Sequence, residues 1–541
     1  MTAPHPSEEP GATPPPKARS PWSPLRNAVF RSLWIATIVA NVGGWMQDVG
    51  AGWLMTSLSP SPSMVALVEA ADNFPLMLLA LPAGALADIV DRRRLLIAIQ
   101  LYCLVVAGAL AVLTWLDMTS AWGLIGFTLA LGVGSAMMMP AWGAIVPDLV
   151  TADEAPFAIA LNSTAINASR AIGPAIAGIL VAAVGAWLVF LLSALSYIWI
   201  LVALLRWRRE HHKSTLPAER FLTAIRVGMR FVMHTRALQM VLIRGSAFFL
   251  FASATWSLFP LIVRQELGRG PEVYGLLLTC IGFGAVAGAV LLPRVRAKIS
   301  RDALVAGASA LFALATLALA LLQNIALLAV AMLATGVAWI GILSALQVSA
   351  QLTLPEWVRA RGLAAFAIVF MGGMALGSVL WGQVATRIGI PATLMTAAFG
   401  IVLSIALTWR YKLGLHEVLD FTPTMAWPAP LLAETPEPDS GPIMVTIEYR
   451  VQRDKRVEFI AAMQGLREMR RRNGAYFWEL FHDSSDPAHF VECFMDESWL
   501  EHLRQHERVS VADREIQQRA KQYLVEGTST RSRHLLADRE T

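Results

Sequence analysis

Charge and cysteine are both scarce in this chain. Only 15% of its 541 residues are Asp, Glu, Lys or Arg, against 56% apolar residues, and the mean hydropathy is +0.54. A soluble domain carries about 25% charge, so the composition excludes a chain that is water-soluble throughout. Three cysteines, Cys103, Cys280 and Cys493, lie far apart with no ligand spacing. That excludes a disulfide framework and a cysteine-bound zinc. Residues 1–24 are rich in Pro, Ser and Thr and hold no apolar core with a small-residue cleavage site, so a signal peptide is not expected there. The pI near 9.3 points first to nucleic acid. The basic residues instead cluster in loops between apolar stretches, as in a membrane protein, and no nucleic-acid partner is expected.

What is abundant is apolar sequence, concentrated between residues ~28 and 411. A membrane span needs about 20 apolar residues. Twelve candidates occur, at 28–58, 64–88, 94–116, 120–147, 155–184, 186–206, 237–264, 271–297, 302–322, 325–352, 360–387 and 390–411. Lys and Arg gather on one side of them: Arg26 and Arg31, Arg92–Arg94, Arg206–Arg220, Arg294–Arg301, Arg359 and Arg361, Arg410 and Lys412. Only Arg264, Arg269 and Arg387 lie towards the other side. The bias predicts a multi-pass protein with both termini in the cytoplasm, and the even number of spans agrees. Val146-Pro147-Asp148-Leu149-Val150 before span 5 is echoed by Leu354-Pro355-Glu356-Trp357-Val358 before span 11. Such an echo six spans apart predicts two parallel six-helix halves with a site between them near the midplane.

The expected organisation is a disordered cytoplasmic tail (1–24), a six-helix bundle (25–206), a cytoplasmic linker (207–236), a second six-helix bundle (237–411), a second linker (412–442) and a cytoplasmic α+β domain (443–541). In the last, strand candidates at 443–451, 475–483, 487–495 and near Leu535 alternate with helical stretches at 454–473 and 498–525. The order β-α-β-β-α-β predicts a small ferredoxin-like sandwich.

Three groups of residues stand out. In the loop after span 2, Gly84 and Asp88 precede the basic cluster Arg92, Arg93 and Arg94; Gly84 suits close packing of helix ends. In span 5, Arg170-Ala171-Ile172-Gly173-Pro174 with Gly178 combines a buried cation with residues that permit a bend and a close helix crossing. The third group is acidic. Asp48 lies about 11 residues before the first outer turn and Glu69 about 10 after it, some 15 Å deep at ~1.5 Å per residue, and Asp72 follows Glu69 by one turn. Intramembrane carboxylates are costly and usually functional, so Asp48, Glu69 and Asp72 are proton-coupling candidates. Asn162 and Asn167 in the first half, with Gln347 and Gln383 in the second, are substrate-cavity candidates. Trp and Met, 18 and 21 in number, suit a broad apolar pocket, although many Trp serve as interface anchors.

Residues ~25–411 resemble the major facilitator superfamily, in the branch that contains the bacterial enterobactin exporter. The resemblance rests on Phe30-Arg31-Ser32-Leu33-Trp34, on Leu81–Asp88 with Asp91-Arg92-Arg93, and on Arg170–Pro174. It implies an inner-membrane, proton-driven exporter of siderophores, drugs or other small molecules, with Gly84, Asp88, Arg92 and Arg93 as a gating loop and Arg170, Gly173, Pro174 and Gly178 as an exporter motif. The three acids are not part of these motifs. Residues 443–541, including Trp499–Arg508, resemble the dimeric α+β barrel group that includes antibiotic-biosynthesis monooxygenases, which implies a homodimer through this domain. His502 and His506 are spaced i, i+4 on a stretch expected to be a solvated helix; no metal, cofactor or catalytic residue is expected. The alternative function is a membrane-tethered cofactor-free monooxygenase, or a ligand sensor, with its activity in the C-terminal domain.

Overall fold

A computed structural model describes residues 20, 22–148, 150–151, 153–206, 221–413, 436–437 and 439–537. Six long helices come first: α1 (Ala28–Leu58), α2 (Pro62–Ile89), α3 (Arg92–Trp115), α4 (Ala121–Asp148), α5 (Ala155–Ala183) and α6 (Ala186–Arg206). A short amphipathic helix, α7 (Phe221–His234), leads to six more: α8 (Arg236–Leu261), α9 (Pro271–Arg296), α10 (Arg301–Leu321), α11 (Ile325–Leu352), α12 (Arg359–Ile388) and α13 (Ile390–Thr408). Twelve of these thirteen are long and apolar enough to cross a membrane. The exception is α7, within the stretch expected to be linker; residues 207–220 of that stretch lie outside the described residues.

Polar caps fix where the spans begin. The Asn27 side chain accepts from the Val29 and Phe30 amides at 2.9 and 3.3 Å, and Asn324 does the same for α11. Such caps satisfy amides that a helix start leaves without partners. In the charged loop, Asp91 caps α3 by accepting from the Arg94 amide at 2.9 Å. Arg93 donates to the Leu204 and Leu205 carbonyls at 2.8 and 2.9 Å, where the C-terminal end of α6 favours a cation. The loop thus stitches α3 to α6 within the first half.

The tail expected to be disordered through residue 24 is ordered earlier. Ser23–Arg26 form a 3₁₀ turn in which Ser23 and Pro24 are buried. Its Leu25 side chain packs against the apolar core of the first half, so burial of apolar groups fixes it. Residues 1–19 lie outside the described residues.

The last hundred residues form β1 (Ile443–Arg450), α14 (Arg456–Asn473), β2 (Phe477–His482), β3 (His489–Asp496), α15 (Trp499–Arg508), α16 (Val511–Lys521) and β4 (Arg531–Leu536). The sheet order is β2-β3-β1-β4 with every pairing antiparallel, which is the expected split β-α-β arrangement. The helical stretch expected as one piece is two. Ser510 breaks it with a capping box, accepting from the Asp513 amide while Asp513 accepts from the Ser510 amide, a favourable start for a new helix. Glu492, fully buried, accepts from Tyr449 Oη at 2.7 Å, Trp478 Nε1 at 2.9 Å and Arg470 Nε at 3.0 Å. Those donors satisfy a charge that would be very costly alone. Burial and the neighbouring carboxylate hold the Tyr449 phenol well above its ordinary range.

This domain docks on the helical bundle. Glu497 accepts from Arg230 of α7 at 2.8 Å and from Arg226 at 3.1 Å, and Arg230 donates to the Gly474 carbonyl at 3.0 Å. From α15, the Arg508 guanidinium lies 4.4 Å over the ring of Trp357, in the turn before α12.

Candidate functional site: a cavity between the two halves

A cavity of about 330 Å³ lies between the halves and is lined by both. From α1 and α2 come Gln47, Asp48, Glu69, Asp72 and Asn73; Arg170 comes from α5 and Tyr197 from α6. The second half contributes Trp256 and Ser257 from α8, Tyr274 from α9, Trp339 from α11, and Phe370, Met371 and Met374 from α12. The two walls differ in chemistry. The first half supplies every charged group. The facing wall is aromatic and thioether-rich: Trp256 and Trp339 stand 5.2 Å apart edge to face, and Trp339 lies 6.0 Å from Phe370. Such rings offer a large contact area with directional preferences, and methionine adapts to varied shapes.

The structure brings Asp48, Glu69, Asp72 and Arg170 to one cavity. Glu69 Oε1 accepts from Asn73 Nδ2 at 3.1 Å. Arg170 lies over the Trp45 ring, 5.5 Å from its centroid, while its Nε and Nη1 find no hydrogen-bond partner among the described residues. The same holds for Gln47, Trp256 Nε1, Ser257 Oγ and Thr128 Oγ1, all buried and all on residues that line the cavity. Buried polar groups normally have partners, so this ring of donors and acceptors is suited to a guest with polar groups of its own.

The rest of the helix 5 motif sets the packing. A Cβ at Gly173 would sit 2.6 Å from Trp45 Cβ on α1. A Cβ at Gly178 would sit 2.7 Å from the Pro271 carbonyl oxygen and 3.0 Å from Gly275 Cα on α9. The expected close crossing is therefore with both a same-half and an opposite-half helix. Gly84 differs from expectation: among the described residues, a Cβ there would meet nothing within 4 Å. The Asp88 side chain lies outside the described residues.

None of the four expected amide ligands lines this cavity. Residue type suggested them, and depth along the helix separates them from it. Gln347 lies eight residues past Trp339 and Gln383 nine past Met374, about 12 and 14 Å along the axis at ~1.5 Å per residue, and both are exposed. Asn162 lies eight residues before Arg170, and Asn167 donates to the Ser163 carbonyl of its own helix at 2.9 Å. The aromatic wall was not placed by sequence reasoning. One signal was available: Trp339 stands mid-span, away from the interfaces where anchors gather.

The cavity is sealed on the face of the α1–α2 and α12–α13 turns, opposite the termini. Ser63 and Thr386 hydroxyls meet at 2.9 Å, Arg264 donates to Thr56 Oγ1 at 2.9 Å, and Gln265 donates to the Pro60 carbonyl at 3.1 Å. Trp53 stacks on Tyr274 at 6.0 Å. Each contact joins the first half to the second. Arg264, an exception to the charge bias of the sequence, is thereby part of the closure.

Two six-helix halves around a shared cavity, closed on the face opposite the termini, define a transporter of the major facilitator type rather than an enzyme. More narrowly, the chain belongs to the family described as transmembrane secretion effector, which it matches over residues 19–541. It is similar to the Staphyloferrin A transporter of Staphylococcus aureus, with 27% identity over 362 residues, 65% of this chain and 88% of that one. It is also similar to the multidrug efflux pump Tap of Mycobacterium tuberculosis, with 25% identity over 389 residues, 68% of this chain and 89% of that one. Among solved structures, a bacterial homologue of the human lysosomal transporter Spinster, inward-facing and unoccupied, superposes with a TM-score of 0.56 at 14% identity, covering 72% of this chain and 97% of that one. An inward-facing bacterial homologue of the iron transporter ferroportin gives 0.55 at 12% identity, covering 71% and 98%.

Proposed function

We propose that this chain is a proton-coupled exporter of small amphipathic molecules, drugs or siderophores, working by alternating access in a bacterial inner membrane with both termini in the cytoplasm. The observation that carries this reading is the two-sided cavity: three carboxylates and one guanidinium on one wall, indole, phenyl and thioether groups on the other. A guest with an aromatic body and a basic or polar edge satisfies both walls. Three carboxylates against one guanidinium disfavour a polyanion. The similarity to a multidrug efflux pump supports export of this kind of cargo, and the similarity to a Staphyloferrin A transporter supports a small-molecule cargo more broadly, as does the resemblance to the enterobactin exporter branch. With the termini inside, the closed face is the outer one.

The test is transport by purified protein in proteoliposomes, over a panel of aromatic cations, neutral aromatics and carboxylate-rich siderophores. Aromatic cations are expected to be carried best. Trp339→Leu is expected to raise the half-saturating concentration by roughly two- to tenfold, the worth of one aromatic contact. Preference for polyanions, or saturation unchanged in Trp339→Leu, would contradict the reading.

The C-terminal domain fits a dimeric α+β barrel by its strand order. Phe477, Met495, Met444 and Leu535 form one row across the sheet face away from its helices, and a second copy would cover that row. Light scattering on detergent-purified protein is expected to give two chains per particle. A single chain, or a dimer that survives Leu535→Arg, would count against this face.

A further inference from the structure

The helix expected to be solvated carries its histidines inward. His502 is fully buried, and its Nδ1 lies 2.9 Å from Asp496 Oδ2 at the end of β3. With Nδ1 turned to that carboxylate, Nε2 of His502 faces away from it. Opposite it, at 3.1 Å, is His506 Nε2 from the next turn of α15. A third imidazole arrives from the far end of the chain: His534 on β4, paired across the sheet with Val445, has its ring 4.9 Å from that of His502. One nitrogen from each of His502, His506 and His534 lies within 4.8 Å of the others.

We propose that His502, His506 and His534 form a binding site for a borderline divalent cation of the Zn²⁺ class, with Asp496 as the group that orients His502. Two nitrogens on a tetrahedral zinc, each at 2.0–2.1 Å, stand about 3.3 Å apart, close to the observed separation of His502 and His506. The Asp496–His502 contact is the carboxylate–histidine arrangement that fixes the tautomer of a ligating imidazole. Three imidazoles suit Zn²⁺, Co²⁺, Ni²⁺ or Cu²⁺ better than Mg²⁺ or Ca²⁺, which take oxygen ligands, and they leave a fourth position for water or a small anion. Binding exchanges the proton between His502 Nε2 and His506 Nε2 for the metal, and that proton leaves to solvent or to His506 Nδ1. The site also has a position in the fold: α15 ends at Arg508, which covers Trp357 beside α12.

The experiment uses the full-length, tag-free protein in detergent, stripped with a chelator and titrated with Co²⁺ and then with Zn²⁺. One Co²⁺ per chain is expected, with the intense visible absorption of a four-coordinate site, displaced by Zn²⁺. His506→Gln and His534→Gln, both only partly buried positions, are each expected to abolish that absorption, and Asp496→Asn to weaken binding roughly 10- to 100-fold. A His211→Gln/His212→Gln variant is expected to bind as wild type. Circular dichroism and thermal unfolding identify any variant that fails to fold; His534→Gln, on an edge strand, is the fallback. No stoichiometric Co²⁺ binding, or binding that persists in folded His506→Gln and His534→Gln, would overturn the proposal.

Discussion

Substrate-driven proton uptake into proteoliposomes is expected to fall by about tenfold or more in Asp48→Asn and in Asp72→Asn, a change of about 1.4 kcal/mol or more in the coupled step. Asparagine keeps the shape of the side chain and removes only the charge. Glu69→Gln is expected to lose less, because Glu69 already accepts from Asn73 and glutamine preserves that acceptor. Asp48 and Asp72 make no hydrogen bond within the protein among the described residues, yet both line the cavity. A carboxylate set in a low-dielectric wall must pair with a cation or take up a proton. A cationic guest can supply the first and an external proton the second, which makes them alternatives at one site. That competition is the physical basis of antiport. The decisive control is exchange of labelled substrate across the membrane without a proton gradient. It is expected to persist in the decoupled variants, which separates lost coupling from lost binding. Wild-type proton uptake in all three single variants would remove these acids from the mechanism.

Much of this arrangement was legible in the sequence because lipid and water impose different alphabets. Twelve apolar runs and their basic loops mark the spans to within a few residues, and the depth of Asp48 and Glu69 follows from counting at a fixed rise per residue. Strand alternation at Ile443–Arg450 likewise survives without tertiary information. What was not legible depends on contacts between distant segments. Gln347 and Gln383 have the right chemistry for a cavity and the wrong depth. Trp339 has the right depth, but in an apolar span its type says nothing of whether it faces lipid, core or cavity. The histidine cluster shows the same limit. His502 and His506 are visible as an i, i+4 pair, but the helix was read as solvated because Asp496 and His534 come together with it only when β4 pairs with β1. Gly84 was read as a packing residue, and among the described residues a Cβ there would meet nothing within 4 Å.

Holding apart the seal opposite the termini is expected to invert which side of the membrane reaches the cavity, and Gly178→Leu is the substitution that does it. At this crossing a single Cβ would already be 2.7 Å from the Pro271 carbonyl oxygen. A leucine adds three more carbon atoms against backbone, which cannot rotate away as a side chain would. Overpacking of this kind costs about 1–3 kcal/mol. The cost falls only on the conformation in which α5 and α9 touch here, so it appears as a shift of about 5- to 150-fold in the ratio of the two states. The seal itself supplies the readout. Ser63 and Thr386 hydroxyls lie 2.9 Å apart across the two halves. In a background with Cys103, Cys280 and Cys493 replaced, a Ser63→Cys/Thr386→Cys pair is expected to cross-link on mild oxidation and to stop transport until reduced. Adding Gly178→Leu is expected to suppress that cross-link. It is also expected to make Ser257→Cys, in the cavity, react with an impermeant maleimide supplied from outside. If the cross-link forms at the wild-type rate in Gly178→Leu, or forms without blocking transport, then the α5–α9 crossing is not part of the gate. The closure at Ser63 and Thr386 would then be a permanent feature of the fold rather than one end of an alternating cycle.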